Sequence, residues 1–158
     1  MTAVVRRAEL ADIEQLGELH SACWAELYPT LLSPDVLSEL NPDVMAGLWS
    51  KFVTRGDAYV QWVAVDNDEI VGFAGTGPGR EEGYEEALEL YFLYVHPSFR
   101  RSGVGRMLLK VADADYLWIW EANRDARTFY RKQKFFPDSV ARAGTLFGAS
   151  LPEVRMAR

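Results

Sequence analysis

Two glycines stand where backbone N–H groups could bind phosphate. Gly103 and Gly105 follow the apolar run of residues 90–95, and they open a stretch with helical periodicity. A helix start exposes N–H groups and the positive end of the helix dipole, and glycine keeps side chains out of the way. Charged donors surround the same loop: Arg100, Arg101 and Arg106. The pattern predicts a site for a ligand with several phosphate groups.

The glycine pair by itself has a simpler interpretation, because glycines often mark turns for backbone reasons alone. The Gly-x-Gly-x-x-Gly of dinucleotide folds and the Gly-Lys-Ser/Thr of P-loops are both absent from the sequence. The context of the pair is more specific. The spacing Arg100-x-x-Gly103-x-Gly105, after a strand that ends at Val95 and before Met107, resembles the acyl-coenzyme A loop of the GNAT superfamily of N-acetyltransferases.

A second segment resembles the same superfamily and comes where the first predicts it. Residues 118–130 read Trp-Ile-Trp-Glu-Ala-Asn-x-x-Ala-x-x-Phe-Tyr, which is similar to the second coenzyme-binding motif. The resemblance implies that Asn123 and Ala126 line the pantetheine arm and that Tyr130 faces the thioester sulfur. From the residues alone, Asn123 could equally cap a helix and Tyr130 could pack beside Phe129.

The resemblance implies acetyl-coenzyme A as cosubstrate, no metal, and direct transfer of the acetyl group to a primary amine. Backbone N–H groups of Leu93 and Val95 would stabilise charge on the thioester oxygen, and Tyr130 would protonate the leaving thiolate. The implied coenzyme contacts come from the strand end, the loop and two helices: Leu93, Tyr94, Val95, Arg100, Arg101, Ser102, Gly103, Val104, Gly105, Arg106, Asn123, Ala126, Phe129 and Tyr130.

Glu89 is the predicted general base, which an ammonium acceptor needs because only its deprotonated form can attack. By resemblance it aligns with the carboxylate base of the histone-acetylating branch, four residues before Leu93. Strand alternation would put Glu89, Tyr91 and Leu93 on one side of the strand. The alternative is a solvated acid at a strand end, and both interpretations stay open.

The acceptor is open between a small amine, an antibiotic and a protein amino group. A cationic amine could be received by aromatic rings and acids, although core packing and a solvated loop explain the same residues. These residues are Trp24, Tyr28, Trp49, Phe52, Glu81, Glu82, Glu85 and Glu86. A different class of function is a catalytically silent domain that binds or senses acyl-coenzyme A.

A mixed α/β (α+β) fold is expected to position these residues. We predict a mostly antiparallel, twisted sheet of about seven strands with flanking helices. The strand before the glycine loop and residues 116–120 should form a central parallel pair, splayed to admit the acyl-coenzyme A. Residues 75–86 are expected to form an exposed loop, and residues 143–150 a connection between the last two strands.

Two departures from the superfamily pattern bear on the far end of the cleft. Lys134 stands where members usually carry glycine before the phenylalanine that ends the second motif, so the turn there is expected to differ. The helix between Gly105 and Tyr116 is also shorter than usual. Neither departure removes an implied coenzyme contact.

Length and charge narrow the function classes. The 158 residues fit a single domain, residues 1–158, and 49% hydrophobic residues suffice for a core. A net charge of -6 argues against nucleic-acid and membrane partners, and no signal or spanning run is evident, so a cytoplasmic protein is expected. One cysteine, Cys23, and two separated histidines offer no metal site. A homodimer is left open.

Overall fold

The apolar run before the glycine loop forms the central strand of a mixed sheet. The computed structural model describes residues 2–158, and these contain one seven-stranded sheet in the order β1-β2-β3-β4-β5-β7-β6. The strands are β1 (Val4–Arg7), β2 (Val60–Asp66), β3 (Glu69–Pro78), β4 (Leu88–Val95), β5 (Tyr116–Trp120), β6 (Phe136–Leu146) and β7 (Ala149–Ala157). Only β4 and β5 pair in parallel, and the other neighbours are antiparallel, so the predicted fold class is confirmed.

Five α-helices flank the sheet within residues 2–158. They are α1 (Ile13–Leu27), α2 (Pro34–Glu39), α3 (Pro42–Val53), α4 (Val104–Ala112) and α5 (Arg124–Lys132). Ser33 and Asn41 cap α2 and α3 through side-chain oxygens, and each is followed by proline at the first helical position. No helix of residues 2–158 is long and apolar enough to cross a membrane.

The helices cover two faces of the sheet. On the first, here called the α4 face, α4 and α5 bury a core with Leu90, Leu117 and Tyr130. On the second, the α1 face, α1 and α3 pack over β2, β3 and β4 around Trp49 and Phe73. A third cluster joins the end of α1 and the start of α3 to the tip of the β6–β7 hairpin.

The predicted loop at residues 75–79 is wrong, because β3 continues to Pro78 and is buried there. The glycines serve close packing rather than a turn. A Cβ on Gly75 would lie 2.4 Å from the Phe92 ring, and one on Gly77 would lie 2.5 Å from the Tyr91 hydroxyl. Aromatic side chains of β4 thus occupy the space that side chains of β3 would fill.

The predicted connection at residues 143–150 is also wrong. β6 and β7 form one long hairpin whose turn is only Phe147 and Gly148, both with positive φ (48° and 80°). A two-residue turn with two positive φ values suits a hairpin, but phenylalanine is unusual there and gives no turn signal. Lys134 likewise adopts φ 69° after α5, so a lysine carries the conformation that glycine usually supplies.

Candidate active site

A gap opens between β4 and β5 on the carboxyl side of the sheet. The two strands pair only at Glu89 with Tyr116 and at Leu90 with Leu117. Beyond this level each strand pairs only with its outer neighbour, β4 with β3 and β5 with β7. The parallel pair is therefore splayed, and the backbone groups that line the gap lack sheet partners.

A β-bulge in β4 decides which residues face which side. Leu90 pairs with Thr76 and Phe92 pairs with the adjacent Gly75, so Tyr91 is an extra residue in the strand. Leu93 consequently lies in the core of the α4 face with Leu90, whereas Phe92 packs on the α1 face.

The bulge overturns one expectation from strand alternation. Glu89 precedes Leu90 and so lies on the α1 face, opposite to Leu93. The prediction that Glu89, Tyr91 and Leu93 share one side is wrong, because the extra residue reverses the alternation in the middle of the strand. A base at Glu89 and a coenzyme beside Leu93 would therefore lie on different faces of the sheet.

The N–H groups of Leu93 and Val95 point into the gap. His96, which directly follows β4, donates its N–H to the Val71 carbonyl of β3 at 2.8 Å. Because alternate N–H groups of a strand point the same way, that of Tyr94 also faces β3, and those of Leu93 and Val95 face the side from which β5 has diverged. These two donors are free to meet an oxygen atom in the gap.

The start of α4 is uncovered at Gly103. Gly103 has φ 94° and is the N-cap, without any side-chain hydrogen bond to the helix. A Cβ at Gly103 would find nothing within 4 Å, so the N–H groups of the first turn are not covered from this side. Ser102, next to it, donates its hydroxyl to the Phe99 carbonyl.

The three arginines predicted to bind phosphate differ in whether they are already ion-paired. Arg100 is paired with Glu26 of α1. Arg101 and Arg106 are exposed and make no ion pair within residues 2–158. Arg106 also lines a cavity of 210 Å³ together with Lys110, in the last turn of α4, and Arg158, which is paired with Asp113. Free cations at the helix start can add to the attraction of its N–H groups for phosphate.

Helix α5 brings the second motif against the first. Asn123 caps α5 by accepting the Ala126 N–H at 3.1 Å, so its capping role is confirmed. A Cβ at Gly105 would lie 3.3 Å from the Phe129 ring and 3.6 Å from Val95. The start of α4, one face of α5 and the end of β4 thus meet at one point, as the two motifs imply.

Tyr130 and Tyr94 lie on opposite faces of the sheet. Tyr130 is 5% exposed in the α4-face core, and its hydroxyl makes no hydrogen bond to another group of residues 2–158. Burial raises the pKa of Tyr130, so its phenol keeps its proton at neutral pH. The side chain of Tyr94 instead packs on the α1 face, where burial and the Tyr28 phenol raise the pKa of Tyr94. The backbone of Tyr94 pairs with Phe73 of β3.

Glu89 is buried and hydrogen-bonded on the α1 face. It is 1% exposed and accepts hydrogen bonds from the Arg80 backbone N–H, Nε and Nη2 at 3.1, 3.2 and 2.7 Å. The Tyr116 hydroxyl donates to the same carboxylate at 3.2 Å. The interpretation of Glu89 as a solvated acid is therefore wrong.

The other acids of the β3–β4 loop are unevenly placed. Glu81 accepts hydrogen bonds from Trp118 Nε1 at 2.6 Å and from Arg155 Nη1 at 2.9 Å, so its charge is already paired. The remaining acids of the loop are exposed: Glu82, Glu85 and Glu86. On β5 the side chains that alternate with Leu117 form an aromatic row on the α1 face, made of Tyr116, Trp118 and Trp120.

The aromatic residues proposed for the acceptor fall into two groups. Trp49 and Phe52 belong to the core around Phe73 and Phe92, so they pack. Trp24 and Tyr28 lie at the end of α1, 5.5 Å apart between ring centroids. Their rings also contact the end of β5 and the tip of the β6–β7 hairpin. The ring centroids of Tyr28 and Trp120 lie 5.6 Å apart, and those of Trp24 and Phe147 lie 6.0 Å apart.

Two groups with nucleophilic or metal-binding chemistry are inert here. Burial lowers the pKa of His20 to about 3, and its Nδ1 accepts the Trp49 indole N–H at 3.1 Å. Burial raises the pKa of Cys23 to about 11, so it is a thiol at neutral pH. Among residues 2–158 no three acids, histidines or cysteines come together as metal ligands.

Two residues that contact Glu89 were not predicted from the sequence. Arg80 reads as the start of an exposed loop, yet its guanidinium holds Glu89, and Tyr116 reads only as an apolar residue of a strand. The one available signal is that Arg80 is the sole cation between residues 56 and 99. Its pairing with Glu89 is a contact between the end of β3 and the start of β4, which no local sequence signal indicates.

Known proteins with similar sequences point to the superfamily that the two motifs resemble. Residues 57–136 match the model of the family described as acetyltransferase (GNAT) domain. The uncharacterised N-acetyltransferase YuaI of Bacillus subtilis is 32% identical over 165 residues, which cover 95% of this chain and 89% of YuaI.

Solved structures agree on the fold. The ribosomal-protein-alanine N-acetyltransferase of Brucella melitensis is 25% identical, with a TM-score of 0.71 over 98% of each chain. The PaiA N-acetyltransferase of Thermoplasma acidophilum, solved in complex with coenzyme A, has a TM-score of 0.72 over 100% of both chains at 17% identity, which shows the fold alone. With a matching family model and a relative that spans nearly the whole sequence, the chain belongs to the GNAT superfamily of N-acetyltransferases.

Proposed function

We propose that this chain transfers an acetyl group from acetyl-coenzyme A to a primary amine, which attacks the thioester directly. The observation that carries the proposal is the gap between β4 and β5, into which the Leu93 and Val95 N–H groups point, next to the uncovered start of α4. The coenzyme A bound to the PaiA relative of the same fold supports this choice of cosubstrate.

The residues around the gap fit the coenzyme in size and charge. The pyrophosphate would accept hydrogen bonds from the N–H groups of the first turn of α4, where Gly103 leaves open space. Arg101 and Arg106 would neutralise its charge. The pantetheine arm would run between β4 and α5, beside Ala126 and Phe129.

Negative charge that develops on the thioester oxygen needs donors already in place. The N–H groups of Leu93 and Val95 meet this need, because they are fixed by the pairing of β4 with β3 and have lost β5 as a partner. A donor that is held by a strand does not have to reorient during the reaction, so its full hydrogen bond is available to the transition state.

Tyr130 is the proposed proton donor to the leaving thiolate. It lies on the α4 face, the same face as Leu93, and burial raises the pKa of Tyr130, so the phenol is protonated at neutral pH and can donate. Cys23 is an unsuitable nucleophile because its thiol stays protonated, so the chain's own residues favour direct transfer over an acyl-cysteine route.

Glu89 is the proposed base, and the acceptor would enter from the α1 face. Oε1 of Glu89 accepts a single hydrogen bond, from Arg80, so one lone pair remains for a water molecule that relays the proton. In the aromatic row on β5, Tyr116 is buried and Trp118 already lies under the Arg142 guanidinium at 4.1 Å. Trp120, which contacts Tyr28, is the ring of the row proposed to border the amine. Small amines, antibiotics and protein amino groups all remain candidates, and the Brucella relative's name favours testing an N-terminal alanine.

The test is an acceptor screen with purified protein and acetyl-coenzyme A. A polyamine, an aminoglycoside, free amino acids and a peptide with N-terminal alanine are offered, and free thiol and the mass of the product are measured. The proposal predicts amine-dependent thiol release and a product one acetyl group heavier. Binding of acetyl-coenzyme A by calorimetry without thiol release for any amine would instead identify a silent binding domain.

A further inference from the structure

Arg80 is bound to Glu89 more extensively than an ordinary surface arginine is to its partner. Its backbone N–H and Nε both donate to Oε2, at 3.1 and 3.2 Å, and Nη2 donates to Oε1 at 2.7 Å. The side chain of Arg80 is 57% exposed, whereas that of Glu89 is 1% exposed. The guanidinium therefore covers a buried carboxylate from the solvent side.

No other cation of residues 2–158 pairs with Glu89. From β5 the neutral Tyr116 hydroxyl donates to Oε2 at 3.2 Å. The Tyr91 ring of β4 lies 4.4 Å from the guanidinium carbon, and its hydroxyl donates to the Pro78 carbonyl. Removal of the guanidinium would leave Glu89 with neutral donors only.

Glu81 is the other acid near Tyr116, and it is paired elsewhere. Its carboxylate accepts hydrogen bonds from Arg155 and from Trp118. Both Glu81 and Glu89 raise the pKa of Tyr116, after the larger effect of burial, so the phenol stays neutral beside them. Among residues 2–158, Arg80 is thus the one cation that pairs with Glu89.

The position of Arg80 also links it to the bulge. Its guanidinium contacts both Glu89, before the extra residue, and the ring of Tyr91, which is the extra residue. The bulge in turn fixes the direction of the Leu93 N–H two residues later. The Arg80 side chain therefore contacts β4 both just before the bulge and at the bulge itself.

We propose that Arg80 is a positioning residue for acyl transfer, which keeps Glu89 charged and fixed beside the gap. The inference rests on the proposed function, in which Glu89 is the base. A carboxylate enclosed by neutral groups takes up a proton more readily than one that is ion-paired, so loss of Arg80 would remove the base from the reaction as pH falls. Arg80 itself touches no reacting atom in this scheme.

The test compares the pH dependence of kcat/KM, from about pH 5 to 9, for the wild type, Arg80→Met and Arg80→Lys with one good amine. For Arg80→Met we expect kcat/KM near neutral pH to fall about tenfold and its acid limb to move up by about one pH unit. Arg80→Lys keeps the positive charge but loses the two-pronged hydrogen bonding of the guanidinium. The acid side of its pH profile should therefore stay near that of the wild type, while its kcat/KM is reduced. Arg80→Gln is the second neutral variant if Arg80→Met does not fold.

Arg6→Met is the matched control. Arg6 also makes a two-pronged pair with a buried carboxylate, at 2.8 and 2.9 Å to Asp12, but it lies on the edge strand β1. Its variant should keep the wild-type profile. Neutral Arg80 variants whose acid limb is unmoved would overturn the inference and reduce Arg80 to a structural residue.

The outcome is separable from failure of the proposed function. A wild type that acetylates no amine would refute the function before any profile is compared. If the wild type is active and Glu89→Gln is equally active, the proposed acetyl transfer stands. Glu89 is then not the base, and the positioning role of Arg80 is refuted with it. Normal calorimetric binding of acetyl-coenzyme A to every variant is expected, because Arg80 and Glu89 lie on the α1 face.

Discussion

The Tyr116 hydroxyl donates a hydrogen bond to Glu89 across the first of the two residue pairs that join β4 to β5. The second pair, Leu90 and Leu117, is buried on the opposite, α4 face of the sheet. The vertex of the gap is thus closed on both faces. A ligand that enters the gap can reach no deeper than this vertex.

Substitution of Gly103 tests the phosphate site. Gly103→Glu places a carboxylate at the helix start, where it opposes a phosphate by charge and by volume, so the Kd for acetyl-coenzyme A should rise by at least about 100-fold. The space around the position is open, so the variant should fold. Isothermal calorimetry measures the affinity.

Gly56→Glu is the control for backbone strain. Gly56 also has a positive φ, 126°, and open surroundings, but it lies in the turn after α3. It should bind acetyl-coenzyme A as the wild type does. An unchanged Kd for folded Gly103→Glu would show that the phosphates lie elsewhere.

Tyr130→Phe keeps the ring in the core and removes the phenolic proton. Turnover should fall by about 10²-fold while coenzyme affinity is retained, because only the departure of the thiolate loses its proton donor. Steady-state kinetics with the best acceptor give both values. Tyr59→Phe, at the start of β2, serves as the control phenol. A Tyr130→Phe enzyme with wild-type turnover would reduce Tyr130 to a packing role.

Glu89→Gln keeps the shape of the side chain and removes its charge. If Glu89 is the base, turnover near neutral pH should fall by about 10-fold or more and recover in part as the pH approaches that at which the acceptor amine loses its own proton. Coenzyme affinity should hardly change, since Glu89 lies on the α1 face. Matching pH–rate profiles for variant and wild type would leave water as the base.

His20 should make the fold sensitive to acid. Burial lowers its pKa to about 3, against 6.5 for an exposed histidine, so between these values the unfolded chain binds a proton that the folded chain does not. The free energy of unfolding should therefore fall as the pH drops through this window, by on the order of 3 kcal/mol at about pH 4.

Urea unfolding at neutral and acid pH measures this loss. His20→Gln can still accept the Trp49 indole hydrogen bond but does not titrate, so its stability should depend less on pH than that of the wild type. His96→Gln, at the start of the loop after β4, should keep the wild-type dependence. Equal pH dependence of wild type and His20→Gln would contradict the burial of a neutral histidine.

Local patterns were sufficient to predict the elements that carry the two motifs. α4, β5 and the Asn123 cap follow from glycine, periodicity and capping signals within a few residues of one another. The parallel pairing of β4 with β5 follows because a helix of this length joins them.

Features that depend on packing between strands could not be predicted. The bulge at Tyr91 exists because Phe92 and Tyr91 fill the space beside Gly75 and Gly77, a relation between two strands that no local signal carries. The pairing of Arg80 with Glu89 likewise joins two neighbouring strands where the β3–β4 loop connects them. For this reason the sequence indicates which residues surround the gap but misplaces the face on which Glu89 lies.

The central claim is that the gap between β4 and β5 receives the thioester. A crystal structure of the protein with acetyl-coenzyme A tests it most directly. The account predicts the pyrophosphate at the N–H groups of Gly103 to Arg106, and the thioester oxygen within about 3 Å of the N–H of Leu93 or Val95. If the same protein preparation is active in solution but the crystal shows the thioester outside this gap, the account is contradicted.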